Sequence, residues 1–108
     1  MTPTICKYLD CSTAHITDND AQLLELDAKC LPALAPTLVV YQYTEGFFVF
    51  VPDLSGNKLE EHKKNCQDAG YSTHLLNLLD IARQYDCIFL RLDRDGDLYP
   101  ELPQQQDW

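Results

Sequence analysis

The sequence predicts an α+β protein, a two-layer sandwich in which two main helices pack on a mainly antiparallel sheet of about four strands. Three observations lead to this fold class: a β-hairpin pattern at residues 37–52, a helical pattern that starts at Ser72, and a strand pattern directly after that helix. The chain has 108 residues and no visible internal repeat, so we expect residues 1–108 to form a single domain.

The hairpin is the element around which the rest of the chain is expected to pack. Residues 38–43 and 47–51 are rich in β-branched and aromatic side chains, and Gly46 between them permits the positive φ of a tight turn. Both alternating sets of positions on the first strand are apolar. The pattern therefore favours a hairpin that is covered on both faces, in the middle of the sheet.

Before the hairpin, the sequence predicts one strand and one helix. Weak alternation indicates the strand at residues 5–9. Thr17, followed by two carboxylates in the next three positions, has the pattern of a helix N-cap. Prolines that follow end this helix near Lys29 or Cys30.

After the hairpin, Ser72 is expected to cap the clearest helix, in which leucines recur at helical spacing until about Tyr85. Residues 87–92 are predicted to form a strand, and residues 98–99 a short edge strand. The polar segment 58–67 fits both an exposed helix and a loop, and its pattern does not separate the two.

Charge and composition narrow the classes of function. The chain has 17 acidic and 8 basic residues and a net charge of −9, which repels nucleic acids and anionic membranes and attracts basic partners. The sequence has no apolar run of about 18 to 20 residues and no apolar leader. We therefore expect a cytoplasmic protein with no membrane contact and no direct contact with nucleic acid.

The cysteines point to reduced thiols rather than to disulfides. There are five, an odd number without a leader, and no two form a Cys-x-x-Cys pair. Cys6, Cys30 and Cys87 have apolar neighbours and are expected to be small buried residues. Cys11 and His15 are four residues apart and are candidates for a metal site with Cys6 and Cys30, or for a nucleophile pair with a nearby carboxylate. Ser12 and His15 with an aspartate are the candidate for a hydrolytic triad.

The remaining motifs are more typical of turns and loops than of catalytic or ligand-binding sites. The motif Asp93-x-Asp95-Gly96-Asp97 has its glycine at the wrong position for a calcium loop and is typical of a turn. Neither a nucleotide-binding glycine loop nor a nucleophile elbow is present. We therefore expect no catalytic residue, no cofactor and no metal.

The same acidic turn is the preferred candidate for binding. Three aspartates on a tight turn form a compact negative ridge that fits the Arg and Lys side chains of a groove for phosphates. The single tryptophan, Trp108, is either docked on the domain or exposed as an anchor for a partner. The predicted partner-binding residues are Asp93, Asp95, Asp97, Glu101, Asp107 and Trp108.

Several short motifs together resemble a known family. They are Ser12-Thr13-Ala14-His15-Ile16-Thr17, Gly46-Phe47-Phe48-Val49, Gly70-Tyr71-Ser72, and the ending Leu90 to Gly96 with Leu102-Pro103 and Asp107-Trp108. The set resembles a domain of unknown function in short bacterial proteins carried on plasmids, prophages and other mobile elements. The resemblance implies no activity. It implies a mobile-element context, in which small acidic proteins sometimes inhibit host defence or nucleic-acid-processing machinery.

Three functional hypotheses follow. The preferred one is a non-enzymatic inhibitor of the anti-defence type (anti-CRISPR or anti-restriction), which binds a basic surface of a nucleic-acid-processing protein. The second is a structural or regulatory homodimer joined through the second apolar face of the hairpin. The third is a metal-dependent or Cys/His enzyme that uses Cys11 and His15.

Overall fold

The computed structural model describes residues 2–30 and 36–105, and in these ranges it confirms the α+β class. Three α-helices accompany a four-stranded sheet, and a 3₁₀ turn at Thr13–His15 follows the first strand. The elements are β1 (Tyr8–Ser12), α1 (Asp18–Lys29), β2 (Val40–Tyr43), β3 (Gly46–Phe50), α2 (Gly56–Ala69), α3 (Thr73–Gln84) and β4 (Phe89–Asp93).

The sheet is mixed. Its strand order is β1-β4-β3-β2, in which β4 pairs in parallel with β1 and antiparallel with β3, and the hairpin strands β2 and β3 are antiparallel. Within the described ranges the centre of the sheet is therefore the pair β4 and β3, and β2 is an edge strand. The expected positive φ at Gly46 is wrong, since this residue has extended backbone as the first residue of β3. Gly46 is required instead where β3 meets β4, because a Cβ there would lie 1.8 Å from the Leu92 carbonyl oxygen.

The predicted helix starts are confirmed. Thr17 forms a capping box with Asp20 at the start of α1, and the Ser72 hydroxyl accepts a hydrogen bond from the Leu75 N–H at the start of α3. The ambiguous segment 58–67 lies within α2, a helix that ends at Gly70 with φ 106°.

Two strand predictions differ from the structure. The first strand begins at Tyr8 rather than at residue 5, because pairing with β4 starts there and continues to Ser12. Residues 98–99 form no strand: the chain turns across the end of β1, where the Tyr99 hydroxyl donates a hydrogen bond to the Asp10 carbonyl oxygen. Contacts with distant parts of the chain thus determine the conformation of both segments.

Helices cover only one face of the described sheet. Side chains on that face are mostly aliphatic, and α1 and α3 bury them in one core with Cys66 of α2. The core residues of the sheet are Cys11, Val40, Phe47, Val49, Leu90 and Leu92. The expectation that the hairpin is covered on both faces is wrong, because its other set of apolar side chains faces away from the helices.

Two carboxylates of α1 hold this helix against neighbouring segments through hydrogen bonds. Asp20, which is fully buried, accepts hydrogen bonds from the Ser72 N–H at 2.8 Å, from the Ser72 hydroxyl and from the Thr17 N–H at 3.1 Å. Asp27 accepts from the Tyr71 hydroxyl and from the N–H groups of residues 37 and 38. These bonds join α1 to the start of α3 and to the segment that leads into β2.

The expected burial of three cysteines is wrong. Cys6 is exposed and Cys30 and Cys87 are half-buried, whereas Cys11 and Cys66 are the buried thiols among the five. Cys6 lies in the segment before β1, which the sheet does not cover. No α-helix in the described ranges has both the length and the apolar character needed to cross a membrane.

Candidate interaction surfaces

The first candidate surface is the C-terminal loop, defined here as residues 94–105. Backbone hydrogen bonds fix it against the end of β1: the Ser12 N–H donates to the Asp97 carbonyl at 2.9 Å, and the Gln105 N–H donates to the Ala14 carbonyl at 2.6 Å. The chains approach closely at Gly96, where a Cβ would lie 2.5 Å from the Cys11 carbonyl oxygen. The loop is therefore held in one conformation although it has no regular secondary structure.

His15 clamps the middle of the C-terminal loop. Its side chain is buried, with 3% of its surface exposed. The Tyr99 N–H donates to Nε2 at 2.9 Å, and Nδ1 lies 3.1 Å from the Pro103 carbonyl oxygen. Because Nε2 accepts and a carbonyl only accepts, Nδ1 carries the proton and the imidazole is the neutral Nδ1–H tautomer. The Tyr99 ring also stacks on the imidazole, with centroids 6.0 Å apart.

The structure separates Asp93 from the other predicted partner-binding residues. Its carboxylate is buried and accepts hydrogen bonds from the Tyr43 hydroxyl at 2.6 Å, from Arg91 Nη2 at 2.9 Å and from the Asp95 N–H at 2.7 Å. The Tyr43 hydrogen bond above all, then the Asp95 N–H and the Arg91 charge, lower the pKa of this carboxyl. Asp93 shapes the turn and does not belong to a free acidic ridge.

Asp95, Asp97 and Glu101 remain as surface carboxylates of the C-terminal loop. All three are exposed, and none forms an ion pair within the part of the chain that the structure describes. Burial raises the pKa of the Tyr99 hydroxyl, and the charge of Asp97 is the next largest cause. The other two predicted contacts, Asp107 and Trp108, lie outside the described residues.

The pair Cys11 and His15 does not have the geometry of a nucleophile and its base. Burial, followed by the charge of Asp10, raises the pKa of the Cys11 thiol to about 12, so the thiol stays protonated near neutral pH. Both imidazole nitrogens bond to backbone groups of the C-terminal loop. Across residues 2–30 and 36–105, no three His, Cys, Asp or Glu side chains are grouped to hold a metal ion.

The second candidate surface is the uncovered face of the sheet. Six aromatic rings from all four strands lie on it, with neighbouring centroids 5.5 to 6.3 Å apart in mostly edge-to-face or tilted pairs. Tyr41 is 59% exposed, Tyr8 50% and Phe50 38%. The six residues, called the aromatic face below, are Tyr8, Tyr41, Tyr43, Phe48, Phe50 and Phe89.

An ionic cluster interrupts the aromatic face. Arg91, in the middle of β4, contacts the carboxylates of Asp10 at 3.3 Å and Asp93 at 2.9 Å, and its Nε donates to the Tyr43 hydroxyl at 3.0 Å. The guanidinium also lies 5.9 Å from the centre of the Tyr8 ring. These contacts raise the pKa of the guanidinium further, mainly through the Tyr43 hydrogen bond. The cation and both carboxylates on this face are thus paired within the chain.

A signal for the aromatic face is present in the sequence, although it is not the apolar pattern itself. In β4, aromatic or charged residues alternate with aliphatic ones: Phe89 and Arg91 face one way, and Leu90 and Leu92 the other. A mid-strand arginine is expensive to bury without partners. Its position therefore marks the side of the sheet that helices leave open.

Fold and surfaces together define a small α+β protein with an open aromatic sheet face and an anchored acidic loop. Residues 8–108 match the model described as "Family of unknown function (DUF5983) C-terminal domain", and the chain belongs to this family. The resemblance to a domain of unknown function is thereby confirmed. Neither the curated proteins nor the solved structures contain a match to the chain.

Proposed function

We propose that this protein is a non-enzymatic inhibitor from a mobile element, which acts in the cytoplasm by binding a basic surface of a nucleic-acid-processing protein. The C-terminal loop is the contact surface in this proposal. The observation that carries it is the fixed conformation of that loop, which holds Asp95, Asp97 and Glu101 exposed and unpaired in the described structure.

Charge supports a basic partner. The net charge is −9, and the loop carboxylates add to a negative potential that attracts a cationic surface and speeds encounter. Phosphate-binding grooves present Arg and Lys in geometries that carboxylates also satisfy. A protein with this loop therefore has the chemistry to occupy such a groove in place of a nucleic acid.

Preorganisation supports a binding role for the loop. A flexible loop loses conformational entropy when it binds, whereas the backbone of this loop is already fixed by the bonds to Ser12, Ala14 and His15. The motifs that resemble mobile-element proteins support the biological setting. The inhibitor role follows from that setting by analogy.

The proposal is tested by parallel affinity captures from the bacterial host, followed by mass spectrometry. One bait is the natural chain, and the second carries Asp95→Asn, Asp97→Asn and Glu101→Gln. A matched control removes the same charge from exposed positions of α2 through Glu60→Gln, Glu61→Gln and Asp68→Asn.

A nucleic-acid-processing protein should bind the natural chain and the α2 control and be lost from the loop variant. With the recovered partner, affinity should fall by at most roughly a hundredfold, since each exposed ion pair contributes up to about 1 kcal/mol. Added salt should weaken the natural complex more than that of the loop variant. Equal recovery on the loop variant and the natural chain would contradict the proposal.

A further inference from the structure

The aromatic face is too large and too continuous to be scattered surface hydrophobicity. With about 200 Å² for each fully exposed aromatic side chain, the exposed fractions of Tyr8, Tyr41 and Phe50 amount to roughly 300 Å². The partly buried rings and Val39, which is 44% exposed, enlarge the patch to roughly 500 Å². Patches of that size on a monomer are commonly binding sites.

The charges on this face argue against a nucleic acid. Single-strand binders combine stacking rings with free cations that follow the phosphates. Here the cation on the face, Arg91, is already bonded to Asp10 and Asp93. Three of the eight basic residues, Lys58, Lys63 and Lys64, lie on α2 in the opposite layer.

The same ionic cluster argues against a strongly basic partner at this face. A surface that binds cations presents free carboxylates, and both carboxylates on the aromatic face are used internally by Arg91, Tyr43 and the Asp95 N–H. A face that is apolar and nearly compensated in charge is suited to pack against a surface of the same kind.

We infer that the aromatic face is the interface of a homodimer, in which the sheets of two copies pack face to face. Two such patches bury roughly 1,000 Å² in total, which reaches the lower bound for a specific interface. A two-fold axis near Phe48 and Phe89, which pair at 5.9 Å in the centre of the face, places each ring cluster against its equivalent. The C-terminal loop is a separate surface, so this inference does not depend on the proposed function.

Charge makes a distinctive prediction for this dimer. Each copy carries −9, and most of that charge lies outside the compensated aromatic face. Salt screens the repulsion between the two copies over about 8 Å at physiological ionic strength. Dimer affinity should therefore hold or increase with salt, whereas binding of a basic partner to the C-terminal loop decreases.

The experiment is sedimentation equilibrium of the natural chain, Tyr41→Glu and Phe50→Glu, each at 50 and 500 mM NaCl. Tyr85→Glu is the matched control, because Tyr85 is 66% exposed at the end of α3 and lies outside the aromatic face. Far-ultraviolet circular dichroism identifies any face variant that fails to fold. Tyr41→Ser is then measured in place of that variant.

We expect a dimer mass for the natural chain and for Tyr85→Glu. We expect the two face variants to associate at least tenfold more weakly. A natural chain that is monomeric at 100 μM overturns the inference. So does a dimer that the face variants leave intact. Binding of a single-stranded oligonucleotide or an oligo-arginine peptide to a monomeric natural chain, lost in Tyr41→Glu, would assign the face to that other ligand.

Discussion

The two faces of the sheet are built from the same strands but differ in chemistry. The covered face has mostly aliphatic side chains with almost no exposure, such as Leu90 and Val49 at 0%, packed under the helices. The open face has aromatic rings around the paired Arg91, and several of those rings are more than a third exposed. The difference teaches that an apolar pattern on both sides of a strand does not require burial on both sides within one chain.

The largest predicted effect comes from the covered face. Leu90→Ala should lower the free energy of unfolding by about 2 to 5 kcal/mol, since it leaves a cavity beneath the helices. Phe50→Ala on the open face should cost about 1 kcal/mol or less, because that ring is already 38% exposed and mainly contacts Phe89. Both substitutions are made in the Tyr41→Glu background, which removes the proposed dimer. Urea unfolding then measures the free energy of unfolding of each variant. Equal losses would contradict the division between them.

The next effect tests the carboxylate that fastens the helical layer. Asp20→Ala leaves the Ser72 and Thr17 donors without their acceptor and should cost about 2 to 3 kcal/mol. Asp18→Ala removes an exposed carboxylate from the same helical turn and should cost well under half as much. Thermal unfolding at pH 7 gives both values, and a similar cost for the two would show that Asp20 does not join α1 to α3.

The His15 clamp should give an intermediate effect that is local to the C-terminal loop. His15→Ala removes the acceptor of the Tyr99 N–H and a buried ring, at a cost of about 1 to 2 kcal/mol. Amide hydrogen exchange followed by NMR should show that the Tyr99 N–H loses protection. The Leu90 N–H in β4 should lose only as much protection as the decrease in global stability predicts. Lys64→Ala, at an exposed position of α2, is the control. Unchanged protection of the Tyr99 N–H would show that His15 does not fix the C-terminal loop.

The smallest effect concerns acid stability at the ionic cluster of the open face. The pKa of Asp93 is lower in the folded chain than its unfolded value of about 4. Its contribution to stability is therefore present above that value and is lost as the pH falls through the folded pKa. Tyr43→Phe removes the largest cause of the shift, so the variant should lose less stability than the natural chain between pH 5 and pH 2. Tyr85→Phe should behave as the natural chain, and identical acid profiles for all three would contradict the assignment.

Sequence patterns predict the parts of this fold that local chemistry decides. Thr17 and Ser72 are recognisable N-caps because a side-chain oxygen next to a helical pattern satisfies free N–H groups. Strand pairing is different. The parallel contact of β1 with β4 joins residues about eighty positions apart, and no local pattern carries that information.

The candidate surfaces were predictable only in part for the same reason. Asp95, Asp97 and Glu101 are exposed, as a polar turn suggests, but the burial of Asp93 depends on Tyr43 and Arg91 from other positions in the sheet. The local sequence around His15 does not indicate its role, because that role depends on a loop that returns from 84 positions away to bring Tyr99 into contact.

The central claim is that one face of the sheet stabilises the fold and the other joins two copies. The most direct test is the urea unfolding midpoint of the natural chain and of Tyr41→Glu at 1, 10 and 100 μM protein. Because a dimer is stabilised by mass action, the natural midpoint should rise with concentration, and the variant midpoint should stay constant. A natural midpoint that does not change with concentration, or a rise of equal size in the variant, would contradict the account.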